Sequence, residues 1–374
     1  MFQKKYSLLI ALLVLAIFAV GSVSAADNIT ADSDVPADDI AVDDVSADLT
    51  DEQKETTSDI EADVADETEN LRTTSYHVNN SMDLTTIQGY IDNAADGSTI
   101  YFDAGNYTGV TLTLTKSNVV YSGYGANLTG TGSNHVFNLA NNLNNFTICG
   151  FNINVNDNSD EYSAIYGSFI SNGNINHNTF YNGANGININ KKYDNMTVED
   201  NIIYGMTNDG ISFAQPNSNS NINTLGNTYI SRNNITNCKY GIFVGGNFKG
   251  VISDNNIVVN DGRSTPTWGI QSAGKKPGAI SNIVANITGN TITGVQTGIE
   301  FINMTVISLN INYNNITTVS NTTYTIDYGT NFSVAANGEF YMYYNRLCGK
   351  IKKSLLDLCT DYYNYCDGDV DLNN

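Results

Sequence analysis

A six-residue pattern recurs eight times along this chain, and it constrains the fold more than any other feature. It consists of an aliphatic residue, two variable residues, a slot residue, one further residue and a second aliphatic or aromatic residue. It reads INHNTF at Ile175–Phe180, VEDNII at Val198–Ile203, ISRNNI at Ile230–Ile235 and ISDNNI at Ile252–Ile257. It returns as ITGNTI at Ile287–Ile292, INYNNI at Ile311–Ile316 and MYYNRL at Met342–Leu347. An earlier copy, ICGFNI at Ile148–Ile153, carries Phe151 in the slot. The other slots hold Asn178, Asn201, Asn233, Asn255, Asn290, Asn314 and Asn345, at separations of 27, 23, 32, 22, 35, 24 and 31 residues. Such uneven spacing excludes a rigid repeat and fits fixed strands joined by loops of variable length.

A second pattern follows each slot: a small residue, then alternating apolar positions. It reads GINI at Gly186–Ile189, GISF at Gly210–Phe213, GIFV at Gly241–Val244 and GIEF at Gly298–Phe301. Weaker forms lie at Ala164–Gly167, Gly269–Ser272 and Thr325–Tyr328. Alternation marks a strand with one buried face. Stacked at the spacing of hydrogen-bonded strands, about 4.8 Å, the slot amides can bond one another and the backbone of their turn. Asn also tolerates a left-handed backbone, which the reading assigns to the slot itself. The predicted fold is all-β: a right-handed parallel β-helix, a solenoid of roughly ten coils and about 50 Å. Asp83 is expected to cap a short helix over Leu84–Ala95, with Ile87, Ile91 and Ala94 on one face and Gly97 as its stop. That helix would cover the open end of the coil.

The ends carry different signals. Lys4 and Lys5 precede an apolar run from Leu8 to Val20, and Val23-Ser24-Ala25 offers a cleavage site. Residues 1–25 therefore read as a secretory signal peptide, with an uncleaved anchor over Tyr6–Val23 as the alternative. Export to the cell surface or medium is expected, and membrane contact only through that segment if it is retained. Of the formal charge of −21, a net −16 lies between Asp27 and Asn70, a stretch without aromatic residues. Residues 26–75 are expected to be an acidic, disordered spacer. The β-helix is placed at 76–348 and a C-terminal cap and tail at 349–374. No basic footprint suggests a nucleic-acid partner. Among five cysteines, Cys348, Cys359 and Cys366 lie close enough for one disulfide, whereas Cys149 and Cys238 read as core residues.

The stretch from Thr85 to Tyr365, with its Asn slots and alternating strands, resembles the pectin-lyase-like superfamily. Together with the leader, the acidic spacer and the Asn/Thr/Tyr-rich coils it resembles the adhesin-like β-helix proteins of methanogenic archaea. That resemblance implies either a non-catalytic adhesin that binds glycans or surface proteins, or an extracellular polysaccharide lyase or glycoside hydrolase. The histidines His77, His135 and His177 stand in no Gly-His-Gly context, and the repeat region holds no Asp-Asp pair. Asn208-Asp209-Gly210 reads as a turn entering a strand. Arg232 and Arg346 flank the slot and are expected to face solvent without a carboxylate cluster. The outward positions of the alternating strands form a predicted column: Tyr166, Asn188, Ser212, Phe243, Gln271, Glu300 and Asp327. Glu300 and Asp327, neighbours on successive coils, are the candidate catalytic pair. Tyr166, Asn188, Ser212, Phe243, Gln271 and Trp268 are the candidate sugar-binding face. No cofactor or metal is expected. The DGDVD run at Asp367–Asp371 lacks the distal Glu of a calcium loop. Candidate glycosylation sites are Asn106, Asn127, Asn145, Asn195, Asn286, Asn303, Asn321 and Asn331, with Asn234 and Asn315 expected to be crowded by the slot turn.

Overall fold

The computed structural model describes residues 74–157, 159–214, 222, 225–274, 280–320 and 323–365. The leader, the acidic spacer up to residue 73, Asn321, Cys366 and the Asp367–Asp371 run lie outside them. The described residues all belong to the second of two compact units, which begins at Glu69.

Every registered strand pair is parallel, and the pairs sort into three continuous ladders. Ladder one begins at Ser75–Val78 and Thr99–Phe102, passes through Thr197–Glu199 and ends at Asp361–Tyr365. Ladder two runs from Gly105–Val110 through Thr179–Tyr181 to the last residues of Ser333–Cys348. Ladder three runs from Leu112–Leu114 through Asn185–Asp194 to Lys350–Ile351. The chain is thus a right-handed parallel β-helix.

Each ladder contributes one aliphatic column to the interior. In ladder one, Ile148, Ile175, Val198, Ile230, Ile252, Ile287, Ile311 and Met342 are successive register partners. These are the first aliphatic positions of the repeat. The last positions, Ile153, Phe180, Ile203, Ile235, Ile257, Ile292, Ile316 and Leu347, form the ladder-two column. Ladder three adds Ile165, Ile187, Ile211, Ile242, Ile270, Ile299 and Ile326. All are buried, and each such side chain contributes about 1.5–3 kcal/mol of transfer free energy. Near the N-terminal end Phe102, Phe137 and Phe151 form an edge-to-face cluster with centroids 5.0–6.2 Å apart.

The slot amides form one row between ladders one and two. Asn201 Nδ2 donates to the Ile175 carbonyl at 2.9 Å and to Asn233 Oδ1 at 3.0 Å, and its backbone N–H donates to the same Oδ1 at 3.1 Å. The arrangement repeats from Asn178 to Asn345. Phe151 ends the row, and its N–H still donates to Asn178 Oδ1 at 3.0 Å. One expectation is corrected. The left-handed residue is the one before the slot: Gly150, His177, Asp200, Arg232, Asp254, Gly289, Tyr313 and Tyr344 have φ between 54° and 77°. The slot Asn keeps negative φ because its side chain must face inward to close the turn.

At the N-terminal end, helix α1 (Leu84–Asn93) is capped by Asp83, whose carboxylate accepts from Thr86 N at 2.7 Å. Ile87 and Ile91 are buried. Gln88 replaces a missing strand: its Nε2 donates to Thr113 O at 2.8 Å and its Oε1 accepts from Thr113 N at 2.9 Å. At the other end, coil pairing continues past residue 348, where the sequence pattern was read as stopping. Asp361–Tyr365 adds a rung, and Asn364 Oδ1 accepts from Asn345 Nδ2 at 2.7 Å. The stretch before Asn364 is one residue shorter than in the other copies and sets Tyr362 opposite Met342, which hides the motif from a search for the repeat.

Candidate functional site

The outer face of ladder three holds the predicted column in register. Tyr166 pairs with Asn188, Asn188 with Ser212, Ser212 with Phe243, Phe243 with Gln271, Gln271 with Glu300, and Glu300 with Asp327. Their inward neighbours on each strand are the isoleucines of the core, so alternation points this column outward. Successive members stand about 4.8 Å apart along the axis.

A parallel row beside it comprises Asp209, Tyr240, Trp268 and Thr297, again register partners. Trp268 opens the strand Trp268–Ala273 and stacks on Tyr240, with centroids 4.6 Å apart and planes at 11°. Phe243 meets Tyr240 edge-on at 6.0 Å. Glu300 accepts from Gln271 Nε2 and from the Trp268 side chain. Burial pushes the Glu300 carboxyl above the ordinary range; the Gln271 hydrogen bond opposes the rise and the Asp327 charge adds to it. Asp327 in turn has Lys352 Nζ 3.4 Å from its Oδ1. That lysine also donates to Tyr328 O at 2.9 Å and lies over the Tyr328 ring at 4.3 Å.

Asp209 is more than a turn residue. It begins the strand Asp209–Ala214 and is buried, and burial pushes its carboxyl up to about 6, against the pull of the Ser212 hydroxyl and Lys239. Tyr240 lies within electrostatic reach of both Asp209 and Glu300. Toward the N-terminal end of the same face, His135 stacks on Tyr166 at 4.2 Å with planes 5° apart. His135 Nδ1 accepts from Ser163 N at 3.0 Å, and burial lowers the His135 pKa. Asp209, Tyr240, His135 and Lys352 were missed by the sequence reading. Their membership depends on the register between coils, which the variable loops conceal. The small residue before each alternating strand was the only available signal, since Tyr240 and Trp268 occupy the position preceding it.

The remaining candidates lie elsewhere. His77 pairs with Asp103 at an exposed position, and His177 sits in the slot turn. Arg232 is exposed but not without carboxylates: it bonds Asp200 at 2.8 and 2.9 Å and also Glu199, tying adjacent coils together. The loops differ in length while the turn does not, so residues 32 apart in sequence become neighbours. Among the described residues no group of three or more His, Cys, Asp or Glu is placed to hold a metal ion. Cys149 and Cys238 are buried. Asn106, Asn127, Asn145, Asn195, Asn286 and Asn331 are exposed. Asn303 is 7 % exposed and accepts from Asn331 Nδ2 at 2.9 Å, so it is unsuited to modification.

No protein-family model matches the chain, and no curated protein does. Several solved structures share its coiled course. Pectate lyase Pel9A aligns at 14% identity and a TM-score of 0.41, over 79% of this chain and 80% of that one. The A-module of the Azotobacter vinelandii mannuronan C-5 epimerase AlgE4 aligns at 16% and 0.38, over 76% and 90%. An iota-carrageenase of family GH82 from A. fortis aligns at 12% and 0.36, over 61% of this chain and 57% of the enzyme's length. These values give no residue-by-residue correspondence. It is the three ladders themselves that make this chain a right-handed parallel β-helix.

Proposed function

We propose that the protein is exported and that the outer face of ladder three binds a glycan without cleaving it. One observation carries this reading: the stacked Tyr240–Trp268 pair adjoins Glu300, Gln271 and Ser212 on two registered rows. The stacked rings supply apolar area against a sugar ring, and the amide, hydroxyl and carboxylate groups supply directional acceptors and donors for its hydroxyls. The lysines bordering the face are engaged, Lys352 with Asp327 and Tyr328 and Lys239 over the Tyr240 ring at 5.3 Å. A uronate polymer would therefore meet carboxylates without a matching cation, and the expected ligand is a neutral chain. A neutral-glycan array tests the reading: wild-type protein binds at least one neutral polymer, and an array without hits removes it.

A second reading, cleavage, is favoured by one feature. Glu300 and Asp327 are register partners about 4.8 Å apart along the axis, close to the spacing of retaining glycosidases. Burial shifts the Glu300 carboxyl in the direction a general acid needs, which assigns that role to Glu300 and the nucleophile's role to Asp327. Asp209 is three coils from Glu300, about 14 Å, which exceeds the carboxylate separation of an inverting pair. Product analysis after prolonged incubation with array-positive polymers decides between the readings. New reducing ends that disappear in Glu300→Gln establish cleavage; intact polymer leaves binding alone.

A further inference from the structure

The exposed asparagines form short amide rows of their own, and these rows have a direction. Asn127 Nδ2 donates to Asn106 Oδ1 at 3.0 Å, and Asn152 Nδ2 donates to Asn127 Oδ1 at 2.8 Å. Asn145 Nδ2 donates to Asn118 Oδ1 at 2.9 Å, and Asn195 Nδ2 to Asn172 Oδ1 at 2.6 Å. Asn256 Nδ2 donates to Asn234 Oδ1 at 3.0 Å, and Asn310 Nδ2 to Asn286 Oδ1 at 2.8 Å. In each case the later coil donates and the earlier coil accepts. The first asparagine of a row, where no earlier coil offers it an acceptor, therefore has its oxygen anchored and its nitrogen unused, whereas Asn118 and Asn172 find acceptors in Asp96 and Asn144.

Four Asn-x-Thr sites occupy this first position. Asn106 begins a row at the first rung of ladder two. Asn234 and Asn286 follow coils that present Ile202 and Val251, and Asn315 follows Thr291. Asn315 Oδ1 is held instead by Arg346 at 3.1 Å. Among the described residues the Nδ2 of these four makes no hydrogen bond, and all four are exposed. Asn234 and Asn315 are thus not crowded by the turn; they follow the inward slot and point the opposite way. By contrast, Asn127, Asn145, Asn195 and Asn331 use Nδ2 to bond a neighbouring coil, and Asn303 is buried.

We propose that the folded protein carries N-linked glycans at Asn106, Asn234, Asn286 and Asn315 and not at the sites inside amide rows. The donor is a lipid-phosphate-linked oligosaccharide. A bond forms between Nδ2 and the sugar C1, the C1–O bond to phosphate breaks, the lipid phosphate leaves with the electron pair, and one amide proton passes to a base. At a row-starting asparagine the reaction costs no coil-to-coil bond. Inside a row it places a sugar in a gap of about 4.8 Å between coils and threatens the bond that Nδ2 makes.

The placement has a consequence for the binding face. Asn106, Asn234 and Asn315 lie on ladder two and Asn286 on ladder one. Glycans there clothe two sides of the prism and leave ladder three bare. This part rests on ladder three being the binding face; the modification pattern does not.

The test uses the full chain secreted through a host leader from a cell with N-glycosylation machinery, which makes the result independent of the protein's own export and of any ligand. Peptide mapping of the folded monomer reads the occupancy of each site. Occupancy at the four row-starting sites exceeds that at Asn127, Asn145, Asn195 and Asn303 by about fivefold or more, the weight of one lost amide bond. Comparable occupancy at the in-row or buried sites, or no glycan at any of the four, overturns the proposal.

Discussion

Two rows of side chains run along the coils from about residue 166 onward, one residue per coil, and they differ in chemistry and in packing. The slot row from Asn178 to Asn345 is chemically uniform and buried, and each amide bonds the next coil. The outer row of ladder three from Tyr166 to Asp327 is chemically mixed, and its members are partly exposed except Ser212 and Gln271, which are buried. A repeated residue solves a repeated problem, the closing of the same turn on every coil. A row that changes residue at every coil has no common structural task and can be shaped to a ligand.

Breaking the uniform row should have the largest effect. Asn233→Ala removes the acceptor of Asn201 N and Nδ2 and strips the Val198 carbonyl of its donor at 2.9 Å. Each is a buried polar group left unsatisfied, so the expected loss is about 3–5 kcal/mol, read by chemical denaturation. Changing the row beside the mixed one costs less and shows as a pH effect. Asp209 is held up to about 6 in the folded protein against 3.8 in a free side chain. The folded state therefore binds more protons than the unfolded state between those values, and stability falls as pH rises from about 4 to about 6. The full change is on the order of 3 kcal/mol, and Asp209→Asn removes it from the denaturation profile. Smaller still are the ends of the coil. Gln88→Ala exposes the N–H and C=O of Thr113 to water rather than to an apolar core, at a cost of about 1 kcal/mol. Asn364→Ala, at the last rung, should cost about the same and well below Asn233→Ala, because Asn364 is only partly buried and Asn345 Nδ2 keeps its bond to the Ile311 carbonyl. Equal losses at Asn364 and Asn233 would remove the distinction between interior and terminal rungs.

The same contrast explains what the sequence disclosed. The aliphatic columns and the slot residues were legible because each recurs at fixed offsets inside one short motif, whatever the loops between motifs do. The outer column was legible as a set of positions for the same reason. Its chemistry was not. The stacking of Trp268 on Tyr240, the reach of Tyr240 to both Asp209 and Glu300, and the approach of Lys352 to Asp327 all join residues on different coils. Their separations are set by loops of unequal length, so no offset in the chain announces them. Asp209 was hidden further by its own neighbours, since Asn-Asp-Gly is also the composition of a turn. The left-handed backbone was assigned one residue too late because Asn favours that conformation in isolation, whereas here its side chain is committed to the interior.

The central claim is that the outer face of ladder three, the mixed row together with the Tyr240–Trp268 row beside it, binds and the uniform row supports. Titration of an array-positive neutral oligosaccharide into wild-type and Trp268→Ala protein, each also melted under the same conditions, tests it most directly. The account predicts that Trp268→Ala weakens binding at least about tenfold, the share of one aromatic platform, while the melting temperature stays close to wild type. Unchanged affinity in Trp268→Ala would contradict it.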